Sequence, residues 1–230
     1  MDKKSIAQMG IAIIGGTGNE GKGLAYRWAA AGLDVIIGSR SKEKAQEALE
    51  ALKPMLKNQI ENLRAMTNQE AAVAGDIIVL TVPYKVQTEM VKQIAPFCTG
   101  KILINVSVPL NPPTVTKVFV PEAGSAAQEI QQILGEESSV VAAFQNVSFE
   151  HLLSGEEINC DVLVCGKGKD ARAVVLELIE KAGMNGWDAG PIENAIVVEG
   201  LTSILIGINK AYGVKSSGIR ISGVPGKSVI

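Results

Sequence analysis

The stretch GGTGNEGKG, residues 15–23, places five glycines in nine positions directly after the apolar run 10–14. Gly16 to Gly21 matches G-x-G-x-x-G between a strand and an Ala-rich helix, which is the setting of a dinucleotide-binding turn. There the first glycine permits a tight turn, the second lets the backbone approach a pyrophosphate, and the third lets the helix pack on the strand. The stretch predicts an α/β fold with a dinucleotide at the turn. A glycine-rich turn without a ligand is the alternative.

Short apolar runs recur along the chain and predict six strands. Each run is four to seven residues long and rich in Val and Ile on both faces, as in a parallel sheet covered on both sides. The predicted strands are 10–14, 34–38, 77–82, 102–106, 140–144 and 161–165.

Amphipathic segments alternate with these runs and predict helices at 21–31, 42–53 (stopped by Pro54), 68–74, 87–95, 125–134, 169–181 and 193–210. The alternation predicts βαβ units with right-handed crossovers. We therefore expect a Rossmann-type, doubly wound parallel sheet. A change of character near residue 147 suggests a dinucleotide-binding domain at 1–147 and a smaller C-terminal lobe at 148–230 that closes the substrate cleft.

Charge and cysteine usage argue against several classes of protein. The formal net charge is −2 and no basic run occurs, which argues against nucleic acid as the main partner. Cys98, Cys160 and Cys165 are scattered and His151 is the sole histidine, so no metal site is predicted and the thiols are read as reduced. The first nine residues lack a signal-peptide core, and no stretch is read as a membrane span. These features predict a soluble, cytoplasmic protein without a membrane partner.

The residues after the second predicted strand favour NADP(H) over NAD(H). NAD-binding proteins place an acidic residue here to bind the ribose diol, whereas this chain has Ser39 and Arg40. The guanidinium of Arg40 can bind a 2′-phosphate through two hydrogen bonds. Lys44 adds a charge one turn into the helix, and Thr17 can reach the same phosphate. A solvated basic helix start is the alternative.

Three further strand exits, at residues 81–84, 105–110 and 144–147, should converge beyond the same sheet edge and form a pocket over the nicotinamide. Tyr84 can border the cofactor there, although a packing role fits equally well. The predicted cofactor-binding residues are Gly16, Thr17, Gly18, Asn19, Glu20, Gly21, Ser39, Arg40, Lys44, Val82, Pro83, Tyr84, Val108, Gln145, Asn146 and Val147.

The chain resembles the NADPH-dependent reductases of the deazaflavin coenzyme F420, the F420:NADP oxidoreductase family. The resemblance runs from about Met9 to near the end. It includes GGTGNEGKGLA, GSRSKEKA, DIIVLTVP, VSVP, DVLVCG, DAGPIENA, VEGLTSILIGINKAYG and GIRISG. The first two segments are general to NADP-binding Rossmann domains, and the combination with the later ones is more specific.

The resemblance implies direct hydride transfer between NADP(H) and F420, with no catalytic side chain, because both reactive centres belong to the cofactors. It implies that the deazaflavin stacks on the nicotinamide in a cleft between the lobes, beside Gln145, Asn146, Val147 and the GIRISG segment. It also implies a homodimer.

One departure from the family lies at Gln145, where archaeal members often carry histidine. Glutamine can still donate a hydrogen bond to a deazaflavin carbonyl. Two other functions stay open: an NADPH-dependent reductase of a flavin or metal chelate, and a non-catalytic NADPH sensor.

Overall fold

A computed structural model of the protein describes residues 5–224. Within them lie eight strands, β1 (Ile11–Ile14), β2 (Val35–Ser39), β3 (Leu63–Thr67), β4 (Ile77–Leu80), β5 (Ile102–Asn105), β6 (Ser139–Ala142), β7 (Asp161–Gly166) and β8 (Asn185–Asp188). The same residues form eight α-helices, α1 (Asn19–Ala30), α2 (Lys42–Leu56), α3 (Asn68–Ala74), α4 (Tyr84–Ile94), α5 (Ala126–Leu134), α6 (Phe149–Ser154), α7 (Lys169–Lys181) and α8 (Ala195–Tyr212).

The eight strands form one sheet in the order β3-β2-β1-β4-β5-β6-β7-β8. The chain reverses its direction of winding between β1 and β4, which leaves a crevice at the carboxyl ends of these two strands. The predicted Rossmann-type fold is confirmed. This switch point lies at the glycine turn, because that turn directly follows β1.

Two apolar layers cover the sheet. Alternate residues of β1 divide between them, since Ile11 and Ile13 pack on one side and Ala12 and Ile14 on the other. The first side is covered by residues of α1, α2, α6 and α7, and the second by residues of α3, α4, α5 and α8. Burial on both faces explains why the strands are continuously apolar rather than alternating.

One strand pair departs from the predicted parallel sheet, because β7 runs antiparallel to β6. The β6–β7 connection contains only the six-residue α6, and the chain re-enters the sheet at the edge that it had just left. An antiparallel pair needs only a short connection, whereas a parallel pair needs a crossover. β8 then pairs with β7 in parallel through α7.

All six predicted strands are present, but β3 and β8 were not predicted. β3 is an edge strand whose last four residues are only half-buried, and β8 has the polar sequence NGWD. Neither shows the apolar run that identified the others. The helix predicted to stop before Pro54 continues to Leu56, since Pro54 lies in its last turn and the buried Leu56 holds that turn in the core.

The C-terminal helix is long and apolar, contrary to the prediction that no segment has the length and composition of a membrane span. Among residues 5–224, the segment Ile192–Tyr212 is 21 residues long and has a mean hydropathy of 1.3, so it could cross a membrane by length and composition alone. Core helices of soluble proteins meet the same criterion. Here α8 packs on α5 and β7, and its buried Glu199 accepts the backbone N–H of Ala126 in α5.

The predicted domain boundary at residue 147 falls between β6 and α6, and β7 and β8 extend the sheet beyond it. The division into two lobes stays a prediction.

Candidate cofactor site

The glycine turn joins β1 to α1 and is hydrogen-bonded to both β2 and α3. Gly15 adopts a φ of 75° and its N–H donates to Asn68 Oδ1 at 3.1 Å, while the N–H of Gly16 donates to the carbonyl of Gly38 at 2.9 Å. The turn therefore has a defined position relative to β2 and α3 before any ligand arrives.

The three glycines of the motif differ in what their missing side chains leave room for. A Cβ on Gly16 would lie 2.9 Å from the carbonyl oxygen of Ile13, and one on Gly21 would lie 2.6 Å from the Cα of Gly16. Both are therefore required by packing. A Cβ on Gly18 would meet only the carbonyl oxygen of Gly15, at 3.8 Å. The fold does not require glycine at position 18, which fits a backbone kept bare for a ligand.

The N-terminus of α1 opens at this bare position. Gly18 is the N-cap residue and has no side chain that could cap the helix. The exposed Asn19 follows it. The first N–H groups of a helix have no intrahelical partners and carry the positive end of the helix dipole. Together with the half-buried Thr17, they form an arrangement suited to a pyrophosphate.

The end of β2 lies beside the turn. Ser39 is the last residue of β2 and is buried, Arg40 is exposed, and Ser41 caps α2 by accepting the N–H of Lys44 at 3.4 Å. Among the residues described, no ion pair engages the guanidinium of Arg40 or the ammonium of Lys44. Two cations are thus free to bind an anion at this corner.

A cavity of about 210 Å³ lies on the other side of β1, at the ends of β4 and β5. It is lined by Glu20, Thr81, Val82, Pro83, Val106 and Ser107. The hydroxyl of Thr81 donates to the carbonyl of Ile14 at 3.0 Å, and that of Ser107 donates to the carbonyl of Val82 at 2.6 Å. These bonds fix the strand exits to one another and hold the cavity wall in place.

The structure does not place Tyr84 among the residues lining that cavity. Tyr84 begins α4, its hydroxyl donates to Glu129 Oε1 at 3.0 Å, and its ring packs against Phe119. Burial and the nearby Glu129 raise the pKa of Tyr84 to about 12. Val108, which was also predicted to contact the cofactor, is half-buried after β5.

The exit of β6 contains a strained residue that sequence analysis did not identify. Phe144 is fully buried, has a φ of 74°, and packs edge-on against Trp28 with ring centroids 5.7 Å apart. A left-handed conformation is costly for a bulky residue and is retained only where surrounding packing enforces it, often at functional sites. The conformation sets the direction of the next residues.

Those next residues are the predicted Gln145, Asn146 and Val147, all of which are buried. The side-chain N–H of Gln145 donates to the carbonyl of Asn105 at 2.7 Å, and that of Asn146 donates to the carbonyl of Asp161 at 2.8 Å. Among the described residues, Gln145 Oε1 and Asn146 Oδ1 have no hydrogen-bond partner. Buried amide oxygens left in this way are suited to a ligand that brings N–H donors.

Asp161 anchors the C-terminal segment next to Asn146 and was also missed. Its buried carboxylate accepts the N–H of Trp187 Nε1 at 2.9 Å and the backbone N–H of Ile221 at 2.7 Å, and lies 3.5 Å from Nε of Arg220. The GIRISG segment is thereby held at the start of β7. A lone acidic residue before an apolar run was the only available signal.

Glu199 is a second buried acid that the sequence analysis did not single out. It lies on α8, and its two carboxylate oxygens accept the N–H groups of Ala126 and Ala127 at the start of α5. Burial raises the pKa of Glu199 to about 7 despite these hydrogen bonds. It joins two helices rather than lining the cavity.

The structure thus brings the predicted residues of the glycine turn, the end of β2 and the exits of β4 and β5 together at the carboxyl ends of the parallel strands. Their roles as ligand contacts stay predictions.

Residues 10–109 match a family model described as NADP oxidoreductase, coenzyme F420-dependent. An F420-dependent NADP reductase of Methanocaldococcus jannaschii is 40% identical over 221 residues, covering 93% of this chain and 98% of that protein. One of Methanothermobacter thermautotrophicus is 38% identical, covering 94% of this chain and 96% of that protein.

A solved structure from Arthrobacter sp. FB24, described as a candidate F420-dependent NADP reductase, superposes with a TM-score of 0.77 at 22% identity. It covers 94% of this chain and 100% of its own. A pyrroline carboxylate reductase of Plasmodium falciparum with NADP bound gives a TM-score of 0.60 at 18% identity, covering 91% of this chain and 66% of its own. At these identities the two structures support the fold alone.

Proposed function

Because the chain belongs to the family of coenzyme F420-dependent NADP oxidoreductases, we propose that it transfers hydride directly between NADP(H) and the deazaflavin coenzyme F420. The observation that carries this proposal is the 40% identity to an F420-dependent NADP reductase over nearly the whole of both chains. The resemblance is therefore not confined to the dinucleotide-binding part.

We further propose how the chain holds NADP(H). The pyrophosphate lies on the bare backbone at Gly18, where first-turn N–H groups of α1 donate to it. The 2′-phosphate lies at the end of β2, where Arg40 and Lys44 have no other ion-pair partner among residues 5–224 and Ser39 and Thr17 offer hydroxyls. The nicotinamide then extends to the cavity at the ends of β4 and β5.

The deazaflavin site of this proposal lies at the exit of β6. Gln145 Oε1 and Asn146 Oδ1 are buried acceptors without partners among the described residues, which supports a ligand with N–H donors beside them. The GIRISG segment, anchored by Asp161, borders the same place. This site lies between residues 1–147 and 148–230, the two lobes that we propose.

Catalysis in this proposal depends on positioning. The nicotinamide and the deazaflavin supply the hydride donor and acceptor when bound. The chain contributes the fastened glycine turn, the hydrogen-bonded cavity wall and the strained exit at Phe144, which orient the two binding sites relative to one another. Holding two reactants in a reactive geometry can lower a barrier by roughly 7–11 kcal/mol.

The activity is tested by mixing the purified protein with NADPH and oxidised F420, or with NADPH and FMN, and following absorbance. We expect rapid loss of the visible F420 band and much slower reaction with FMN. Turnover of FMN alone would favour the flavin reductase, and tight NADPH binding with neither turnover would favour the sensor.

We also propose that the protein is a cytoplasmic homodimer whose interface includes α8. Val197, Ile204 and Ile208 follow helical spacing on this helix and are 62%, 50% and 39% exposed. The exposed Val118 extends the surface, since a Cβ on Gly200 would lie 3.3 Å from it. Exposed apolar patches of this kind mark interaction sites.

We expect Ile204→Asp to convert the dimer into a monomer, because a charge would be buried in the interface. Light scattering coupled to size-exclusion chromatography measures the mass. Val73→Asp is the matched control, since Val73 is an exposed residue of α3, and should leave the dimer intact. A dimer in both variants would exclude this face of α8 as the interface.

A further inference from the structure

Glu20 is a half-buried residue in the first turn of α1, and one oxygen of its carboxyl group is fully buried. It is the second residue of α1 and lines the cavity at the ends of β4 and β5. Its Oε1 is buried and has no hydrogen-bond partner among the described residues. Burying such an oxygen without a partner is costly. A ligand that completes its hydrogen bonding would remove this cost.

The position of the cavity indicates which part of a dinucleotide enters it. The cavity lies at the ends of β4 and β5, whereas Ser39 and Arg40 lie at the end of β2, on the other side of β1. A dinucleotide lies across the switch point with its pyrophosphate on the glycine turn. With the adenosine end at β2, the nicotinamide lies at β4 and β5.

We propose that Glu20 binds the carboxamide of the nicotinamide and so positions this ring for hydride transfer. The inference rests on the proposed NADP(H) site. A neutral carboxyl group complements a carboxamide, because its O–H donates to the amide oxygen while its carbonyl accepts an amide N–H. An ionised carboxylate can only accept and loses one of the two hydrogen bonds.

The surroundings of Glu20 favour the neutral form. Burial raises the pKa of Glu20 to about 8, and the other five residues lining the cavity, Thr81, Val82, Pro83, Val106 and Ser107, carry no titratable group. The group is therefore mostly protonated at neutral pH and becomes ionised as the pH rises through about 8. Nicotinamide binding should weaken over the same interval.

Calorimetric titrations with two ligands test the proposal. One ligand is NADPH, and the other is 2′-phospho-ADP-ribose, which has the same phosphates but no nicotinamide. We expect Glu20→Leu to weaken NADPH binding about tenfold at neutral pH through the loss of two hydrogen bonds, and to leave binding of the fragment unchanged. Glu20→Gln should retain binding, because an amide also pairs with a carboxamide.

The pH dependence separates positioning from a structural role. Between about pH 7 and about pH 9.5, the wild type should lose affinity for NADPH relative to the fragment, whereas Glu20→Gln should not. If wild type and Glu20→Gln show the same pH profile, or if Glu20→Leu weakens both ligands equally, the proposal is wrong while the NADP(H) site stands. Failure of the wild type to bind either ligand would overturn both. The Glu20→Gln profile decides the question even if Glu20→Leu does not fold.

Discussion

Replacing Gly18 with alanine is expected to weaken NADPH binding by about 100-fold, because the added methyl group would occupy the place where the backbone must approach the pyrophosphate. The apoprotein should hardly change. The nearest atom to a Cβ at this position is the carbonyl oxygen of Gly15 at 3.8 Å, and the φ of −69° suits any residue. Calorimetric titration with NADPH measures the first effect, and thermal unfolding measures the second.

The matched variant Gly21→Ala should lose stability in the absence of NADPH, in contrast to Gly18→Ala. Its Cβ would lie 2.6 Å from the Cα of Gly16, so the turn or the helix must shift, and overpacking of this kind costs about 1–3 kcal/mol of stability. A large loss of stability for Gly18→Ala, or undiminished NADPH affinity, would show that position 18 does not face the pyrophosphate.

The sequence predicted the elements whose signals are local. The bounds of α3 and α7 were correct to the residue. At α3 the structure shows a capping box, a local feature in which Thr67 and Glu70 bond each other's backbone N–H groups. The apolar runs identified the strands of the sheet interior for the same reason, since burial on both faces leaves a pattern that needs no tertiary knowledge.

The strands and the strand direction that the sequence did not predict depend on contacts with residues distant in sequence. The polar β8 is a strand because its residues pair with β7, and β7 is antiparallel because the β6–β7 connection stays at one edge of the sheet. Neither fact is encoded in the local periodicity. Edge position explains β3 in the same way, because a strand with one neighbour has less need of apolar residues on both faces.

Some residues of the candidate site could likewise be recognised from local sequence, whereas others depend on contacts that are distant in sequence. The glycine motif and the Ser39–Arg40 pair were visible because their chemistry is carried by adjacent residues. The left-handed Phe144 depends on Trp28, more than one hundred positions earlier in the chain. Glu20 fits the motif as any residue would, and only the structure shows that its Oε1 is buried and has no hydrogen-bond partner among the described residues.

The charge of Arg40 gives the most direct test of cofactor choice. Among the residues described, no acidic side chain pairs with the guanidinium, and so none of them competes with a phosphate for it. Charge-assisted hydrogen bonds contribute about 1.5–3 kcal/mol. A 2′-phosphate occurs in NADPH and is absent from NADH, so the loss of this bond affects one ligand only.

Arg40→Ala should therefore weaken NADPH binding by about 10- to 100-fold, since each 1.4 kcal/mol corresponds to a factor of ten, and should leave NADH binding nearly unchanged. Lys53→Ala is the control, because Lys53 lies near the other end of α2 and pairs with Glu50; it removes a charge without touching the predicted site. Titrations of both variants with both cofactors measure the four affinities. The NADPH loss should also shrink as salt is added, because an exposed ion pair is screened. Equal losses for NADPH and NADH in Arg40→Ala would place the 2′-phosphate elsewhere and remove the basis for preferring NADP(H) at the end of β2.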